Sequence, residues 1–116
     1  MNRVIITGGS GFIGTNLIEH FNSKGMVVCN IDKIQPRNKK HHKFWKKIDI
    51  LDRDKLIDFF KNFKPTLVYH FAARTDLNGL NLSDYDENTV GVENVVDAIY
   101  SSDTLKYAVF ASSMLV

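Results

Sequence analysis

Two kinds of hydrophobic pattern alternate along this chain. Short, nearly continuous apolar runs are typical of strands buried on both faces, whereas apolar residues that recur every three or four positions are typical of amphipathic helices. The runs predict strands over residues 4–7, 26–31, 44–48, 66–71 and 105–111. The spaced pattern predicts helices that begin after residue 11, near residue 52 and near residue 85.

The order of these elements predicts the fold. Strands that alternate with helices form parallel sheets through right-handed crossovers. We therefore expect an α/β, doubly wound parallel sheet in the order 3-2-1-4-5, which ends after the fifth strand. Ligands of such sheets bind at the carboxyl ends of the strands, where the strand order reverses, here between the first and fourth strands.

Each predicted helix has an apolar stripe. Gly25 ends the first helix near Lys24, Asp52 is a suitable N-cap for the second, and Pro65 ends the second. The third helix runs from about residue 85 to residue 100. The stripes consist of Ile13, Leu17, Ile18 and Phe21 in the first helix, Leu56, Phe59, Phe60 and Phe63 in the second, and Val92, Val95, Val96 and Ile99 in the third.

A glycine-rich turn joins the first strand to the first helix. Gly9, Gly11 and Gly14 have the GxGxxG spacing of a dinucleotide-binding turn, and Gly8, Gly11 and Gly14 have the wider GxxGxxG spacing. A helix amino terminus behind such a turn faces an anion with free N–H groups and a positive dipole end. A nucleotide-binding P-loop is excluded because Thr15-Asn16 stands where Lys and Ser or Thr are required. An ordinary tight turn stays open as the alternative.

Asp32 is the second candidate binding residue. It follows the second strand, 18 residues beyond Gly14, where an acid can accept hydrogen bonds from the hydroxyls of an adenosine ribose. Its charge would repel a 2′-phosphate, so NAD is favoured over NADP. Lys33 and Arg37 keep NADP open, and a turn residue that closes a strand is the less favoured alternative for Asp32.

Composition narrows the class of protein. The chain has 116 residues, 44% hydrophobic and 24% charged, which is typical of one soluble globular unit. No apolar run has the roughly 20 residues that span a bilayer, so we expect no membrane segment and a cytoplasmic location. Cys29 is the single cysteine, and we interpret it as a buried structural thiol. His70 is interpreted as a satisfied core histidine, and no metal site is predicted.

Positive charge is concentrated between Lys33 and Lys47. That segment has seven basic residues and no acid, which leaves a net charge of −5 on the remainder of the chain. A solvated loop within an irregular crossover is the simplest interpretation, and attraction of an anionic phosphate ligand is the next. A nucleic-acid surface is disfavoured because the segment has neither a recognition-helix pattern nor repeated aromatic spacing.

Taken together, these motifs resemble the extended short-chain dehydrogenases of the NAD-dependent epimerase/dehydratase type, which act on nucleotide sugars and contain a Rossmann fold. The resemblance covers nearly the whole chain in the order of the family. It is carried by TGGSGFIG at 7–14, Asp32, Asp49-Ile50, HFAA at 70–73, Asn88 with Gly91, and FASS at 110–113.

The resemblance implies a role for each matching position. The family's cofactor would be NAD, and its substrate a nucleotide-diphosphate sugar. The implied residues are Gly8, Gly11, Phe12, Ile13 and Gly14 around the pyrophosphate, Asp32 and Lys33 at the adenosine ribose, Asp49 and Ile50 at the adenine, Phe71, Ala72 and Ala73 towards the nicotinamide ribose with Asn88 behind it, Ala111 and Ser112 as further cofactor contacts, and Ser113 as the catalytic hydroxyl.

The catalytic set of the family is incomplete in this sequence. The family pairs its Ser or Thr with YxxxK, but Ala73, Thr89, Thr104 and Ala111 stand four residues after the four tyrosines. We therefore expect this chain, 1–116, to be the cofactor-binding portion of a longer enzyme whose substrate-binding part lies elsewhere. Met114-Leu115 replaces the Asp-Glu pair of the 4,6-dehydratases, which disfavours dehydration. Val92 stands where the family usually has threonine, a mild departure from its pattern.

The sequence therefore predicts the NAD-binding part of a nucleotide-sugar epimerase or oxidoreductase. A non-catalytic, NAD(P)-binding regulatory module of the same fold is the alternative. We expect no nucleic-acid partner, and a homodimer of the full-length protein is left open.

Overall fold

A computed structural model describes residues 2–71 and 86–111 of the chain. The strands are β1 (Arg3–Thr7), β2 (Val27–Asp32), β3 (Trp45–Lys47), β4 (Leu67–His70) and β5 (Tyr107–Phe110). The α-helices are α1 (Phe12–Ser23), α2 (Arg53–Phe63) and α3 (Asp86–Tyr100), and a 3-10 helix covers Lys39–Phe44. No helix in these described ranges is long and apolar enough to cross a bilayer.

The predicted sheet is confirmed. In the described part of the chain, five parallel strands lie in the order β3-β2-β1-β4-β5, so the central strand β1 has β2 on one side and β4 on the other. The predicted ranges of β3, β4 and β5 are too long by one or two residues at their ends, whereas β1 begins one residue earlier than predicted and β2 is shifted by one residue. At β3 the reason is that Phe44 closes the 3-10 helix instead of opening the strand. Hydrogen bonding continues slightly past β5, where the Ala111 N–H donates to the His70 carbonyl at 3.1 Å.

Side chains of β1 alternate between two apolar layers, as the pleat of a strand requires. Ile5 belongs to the layer beneath α2 and α3, with Leu56, Phe60 and Val95. Val4 and Ile6 belong to the layer beneath α1, with Ile18 and Phe21. A strand buried on both faces explains why the sequence shows continuous apolar runs and no alternation.

The helices begin and end largely where the sequence predicts. Asp52 caps α2 by accepting a hydrogen bond from the Lys55 N–H at 3.3 Å, and Gly25 follows α1 with a φ of +77°. Ile13 is a correction, because it is 57% exposed and Gly14 takes the buried position in its place. The buried face of α3 also differs from the predicted stripe. Val95 is buried as predicted, but its buried neighbours are Gly91, Asn94 and Ala98, whereas Val92, Val96 and Ile99 are only half-buried.

The basic crossover is more ordered than the sequence indicates. It contains the 3-10 helix, which the Asn38 side chain caps by accepting from the Lys40 N–H at 3.0 Å. His41 is buried against α1, with Nε2 3.4 Å from a carboxylate oxygen of Glu19. All seven basic side chains are nevertheless exposed, in agreement with a solvated surface.

Candidate functional site

The glycine turn lies directly after β1 and begins α1. Gly8 has a φ of +73°, a left-handed conformation that glycine adopts without strain, and its N–H donates to the Ile31 carbonyl at 2.9 Å. Gly11 occupies the N-cap position of α1. The first N–H to bond within the helix is that of Thr15, so those of residues 12–14 have no intrahelical acceptor.

Three glycines of the turn lack a side chain for different reasons. A Cβ on Gly14 would come within 2.4 Å of the Gly9 Cα, so the helix could not pack against the turn. A Cβ on Gly9 would come within 2.4 Å of the Asn30 amide. A Cβ on Gly11 would meet only the Gly8 carbonyl, at an ordinary 3.5 Å. Nothing in the described protein therefore requires a glycine at position 11.

A cavity of about 320 Å³ opens beside this turn, at the carboxyl ends of the strands. It lies on the β2 side of β1 and extends towards the end of β3. Its lining combines backbone from the turn, acids and bases from the loops, and apolar side chains. The lining residues are Gly8, Ser10, Gly11, Ile31, Asp32, Lys33, Ile34, Gln35, Arg37, Ile48, Asp49, Ile50 and Phe71.

Asp32 is held in place by backbone donors on both sides of its carboxylate. Oδ2 accepts from the Ser10 N–H at 3.1 Å, and Oδ1 accepts from the Ile34 N–H at 3.0 Å. Each oxygen keeps a further lone pair for a ligand. Lys33 and Arg37 lie along the same cavity, so it presents an acid and two basic residues together.

The far end of the cavity is formed by the residues after β3. Asp49 closes a tight turn through Oδ1, which accepts from the Leu51 N–H at 3.0 Å. Buried Asn94 of α3 donates from Nδ2 to the Ile50 carbonyl at 2.9 Å. This contact ties the end of the cavity to the helix layer beneath it.

A buried histidine lies at the junction of β1 and β4. His70 is 2% exposed, and its Nδ1 lies 2.6 Å from the Thr7 hydroxyl. Its Nε2 has no hydrogen-bond partner among the described residues. Burial lowers the pKa of His70 to about 4, so the ring is neutral near pH 7. The predicted core position is confirmed, but within the described part of the chain only one ring nitrogen has a partner.

The predicted site residues divide into three groups. Seven border the cavity, namely Gly8, Gly11, Asp32, Lys33, Asp49, Ile50 and Phe71. Four lie away from its lining, namely Phe12, Ile13 and Gly14 at the start of α1 and Ala111 after β5. Ala72, Ala73, Ser112, Ser113 and the Asn88 side chain fall outside the described part of the chain.

Sequence reasoning missed several residues whose side chains or backbone groups build this site. Ser10, Ile34 and Gln35 border the cavity, and Asn30 lies beneath the turn. A signal for Asn30 was present, since it is a lone amide in an otherwise apolar strand, and a buried amide needs partners. The described residues include no group of three His, Cys, Asp or Glu side chains that could hold a metal ion.

Comparison with known proteins identifies the family. The UDP-glucose 4-epimerase of Mycoplasma genitalium is 36% identical over 98% of this chain and 36% of its own length. The dTDP-glucose 4,6-dehydratase of Haemophilus influenzae is 33% identical over 67% of this chain and 26% of its own length. The structure of UDP-glucose 4-epimerase from Brucella ovis in complex with NAD matches with a TM-score of 0.80 and 28% identity, over 98% of this chain and 36% of that one.

This chain therefore spans about a third of the length of these three relatives, between 26% and 36%. The match to the family is nevertheless continuous. The model of the NAD-dependent epimerase/dehydratase family covers residues 4–116, from the first strand through the glycine turn to the last residue. The chain belongs to the NAD-dependent epimerase/dehydratase family.

Proposed function

We propose that this chain forms the NAD-binding part of a nucleotide-sugar epimerase or oxidoreductase. The observation that carries the proposal is the pairing of Gly11 with Asp32 at one cavity. Gly11 has no side chain although the protein leaves room for a Cβ. A ligand that approaches the backbone closely explains that choice, and a pyrophosphate is the ligand that such turns take.

The residues of the chain match the parts of NAD. The unbonded N–H groups at the start of α1, contributed by Phe12, Ile13 and Gly14, are donors for the pyrophosphate, with Gly8 and Gly11 beside them. Asp32 and Lys33 would bind the adenosine ribose, and Asp49 with Ile50 would flank the adenine. Phe71, Ala72 and Ala73, with Asn88 behind them, would line the path to the nicotinamide ribose, and Ala111 and Ser112 would add further contacts.

When bound, NAD would supply an acceptor for hydride from a carbon of the sugar. Ser113 would hydrogen-bond the reacting sugar oxygen. A tyrosine and a lysine are needed to remove the hydroxyl proton, and we propose that they lie in the longer polypeptide. The names of the relatives, UDP-glucose 4-epimerase and dTDP-glucose 4,6-dehydratase, support a nucleotide-diphosphate sugar as substrate.

Cofactor binding is the first property to test, by fluorescence titration of the full-length protein with NADH and NADPH. We expect NADH to bind more tightly, because the Asp32 carboxylate repels a 2′-phosphate. Asp32→Ala should weaken the binding of NADH about tenfold, because charged hydrogen bonds are lost. It should also reduce the preference for NADH over NADPH. Asp58→Ala, an exposed acid on α2, is the matched control. Equal affinity of wild type and D32A for NADH would remove the proposed role of Asp32.

Turnover separates an enzyme from a regulatory module. The full-length protein is incubated with UDP-glucose, UDP-galactose and dTDP-glucose, and the products are resolved by chromatography. Conversion of a nucleotide sugar, lost in Ser113→Ala, supports the catalytic proposal. Tight NADH binding without conversion of any of these substrates would favour the regulatory module.

The cytoplasmic location and the homodimer stay predictions of this proposal. The buried lone thiol of Cys29, whose pKa burial raises to about 12, is compatible with a reducing compartment. Light scattering on the full-length protein measures the oligomeric state.

A further inference from the structure

The floor of the glycine turn contains a fully buried amide. Asn30 lies in β2 with no exposed surface, between Cys29 and Ile31. A buried amide costs free energy unless its oxygen and nitrogen both find hydrogen-bond partners. Both atoms have one here, and both partners belong to the turn.

Two hydrogen bonds connect Asn30 to the turn. Oδ1 accepts from the Gly9 N–H at 2.8 Å, and Nδ2 donates to the Ser10 hydroxyl oxygen at 3.2 Å. The Ser10 hydroxyl in turn donates to the Ile34 carbonyl at 2.7 Å. Backbone groups of the turn and of the loop after β2 are thus joined through one buried side chain.

The same residues hold Asp32. The Ser10 N–H donates to Asp32 Oδ2 and the Ile34 N–H donates to Oδ1. Ser10 and Ile34 therefore each contact both the Asn30 network and the carboxylate, Ser10 through three hydrogen bonds and Ile34 through two. A shift of the turn would move the donors of the proposed pyrophosphate site and the acid of the proposed ribose site together.

We infer that Asn30 and Ser10 are positioning residues of the cofactor site, which fix the glycine turn and the Asp32 carboxylate in one arrangement before a dinucleotide binds. This inference rests on the proposed function. Neither residue needs to touch the cofactor through its amide or hydroxyl, since both act through the backbone of the turn and through Asp32.

An apolar residue at position 30 would fill the strand but lose the network. The Gly9 N–H would be left buried without its acceptor, and the Ser10 hydroxyl would lose its donor. Gly9 itself is matched to the amide, because a Cβ there would collide with the Asn30 side chain at 2.4 Å. The turn and the strand beneath it are therefore complementary at these two positions.

The test uses the full-length protein and three probes, NADH, ADP and adenosine, with affinities measured by fluorescence and calorimetry. Asn30→Leu should weaken NADH and ADP about tenfold or more, because the phosphate donors and the Asp32 carboxylate are both displaced. Adenosine, which has no phosphate and keeps only the ribose contact with Asp32, should weaken less, by about threefold. The matched control is Asn62→Leu, at an exposed asparagine of α2 whose Nδ2 donates to the Asp58 carbonyl at 2.9 Å, away from the cavity.

Ser10→Ala keeps the inference testable if Asn30→Leu does not fold, since Ser10 lies at the surface of the turn. It should weaken NADH about threefold or more, and Ser10→Thr, which restores a hydroxyl, should return the affinity to within about twofold of wild type. Unfolding temperatures of the ligand-free variants are measured in parallel.

Three outcomes contradict the inference in different ways. If the folded variants bind NADH as the wild type does, Asn30 and Ser10 do not position the site, although the proposed function stands. The affinities for NADH, ADP and adenosine could instead all fall by the same factor, in step with a lower unfolding temperature of the variants. In that case Asn30 and Ser10 only stabilise the fold. If the wild-type protein binds neither NADH nor ADP, the proposed function fails and the inference fails with it.

Discussion

The two sides of the central strand β1 are built from different kinds of contact. On the β2 side, Asn30, Asp32 and Ser10 form a connected set of hydrogen bonds with the glycine turn. On the β4 side, Thr7 and His70 share one short contact of 2.6 Å, and the imidazole otherwise packs against Phe110 with ring centroids 5.4 Å apart.

The difference shows how the molecule handles buried polar groups. On the β2 side, the side chains of Asn30, Ser10 and Asp32 all have hydrogen-bond partners within the protein, so the turn can keep its shape without a ligand. On the β4 side, the buried His70 imidazole has one nitrogen without a hydrogen-bond partner among residues 2–71 and 86–111, and burial keeps the ring neutral near pH 7. We therefore expect the β2 side to determine cofactor affinity and the β4 side to determine sensitivity to acid.

The largest effect is expected from a side chain at Gly14. Gly14→Ala places a Cβ within 2.4 Å of the Gly9 Cα and 2.6 Å of the Gly8 carbonyl, neither of which can move aside as a side chain can. Destabilisation by about 3 kcal/mol or more and loss of NADH binding should follow. Urea unfolding and NADH titration of the full-length protein measure both.

Gly11→Ala is the matched substitution, because the protein leaves room for its Cβ. It should cost less than about 1 kcal/mol, the scale of an N-cap change, yet still weaken NADH about tenfold. Unchanged NADH affinity in a folded G11A protein would show that no ligand approaches that backbone.

The second effect concerns His70 and acid. Its pKa is lowered by burial from 6.5 to about 4, so the unfolded chain binds the proton more readily than the folded protein. The stabilisation is complete above pH 6.5 and falls as the pH drops towards 4, by about 3 kcal/mol in all. Urea unfolding between pH 4 and 7 should show this slope in the wild type and a flatter one in His70→Asn.

Asparagine can still hydrogen-bond to Thr7 but does not titrate. The His70→Asn variant therefore separates the effect of protonating the imidazole from the effect of losing the hydrogen bond. Parallel pH profiles of the two proteins would contradict the assignment of the acid sensitivity to the β4 side. Affinity for NADH at pH 7 should change less in H70N than in Asn30→Leu.

The smallest effect is expected at the cap of α2. Asp52→Ala removes the acceptor of the Lys55 N–H and should lower stability by about 1 kcal/mol. Because Asp52 does not border the cavity, NADH affinity should stay within about twofold of wild type. A large loss of affinity would mean that the helix layer, and not the turn alone, determines binding.

Much of this organisation could be predicted from the sequence. Continuous apolar runs, Gly25 and Asp52 were enough to define the strands, a helix end and a cap, because these depend on local conformation. The positions of the glycine turn and Asp32 at one cavity followed from the topology, since carboxyl ends of parallel strands meet at one edge.

The errors have a common physical origin. Ile13 was predicted to be buried because helical spacing does not show where a helix leaves the sheet, and there it is Gly14 that meets the turn. The basic crossover was predicted to be irregular because a short 3-10 helix depends on local caps such as Asn38, which no hydrophobic period reveals. The partners of Asn30 are up to 21 residues away, so its role could not be seen from spacing.

By itself, the sequence determined the strand order, the turn that begins α1 and the acid that follows β2, since each is a consequence of local propensity and of the rules of parallel sheets. Which polar groups satisfy one another depends on how the elements pack, and spacing along the chain does not reveal it. Hydrogen bonds between distant residues form where packing brings donor and acceptor within about 3 Å. That is why Asn30 holds the turn and His70 stays uncharged in the core.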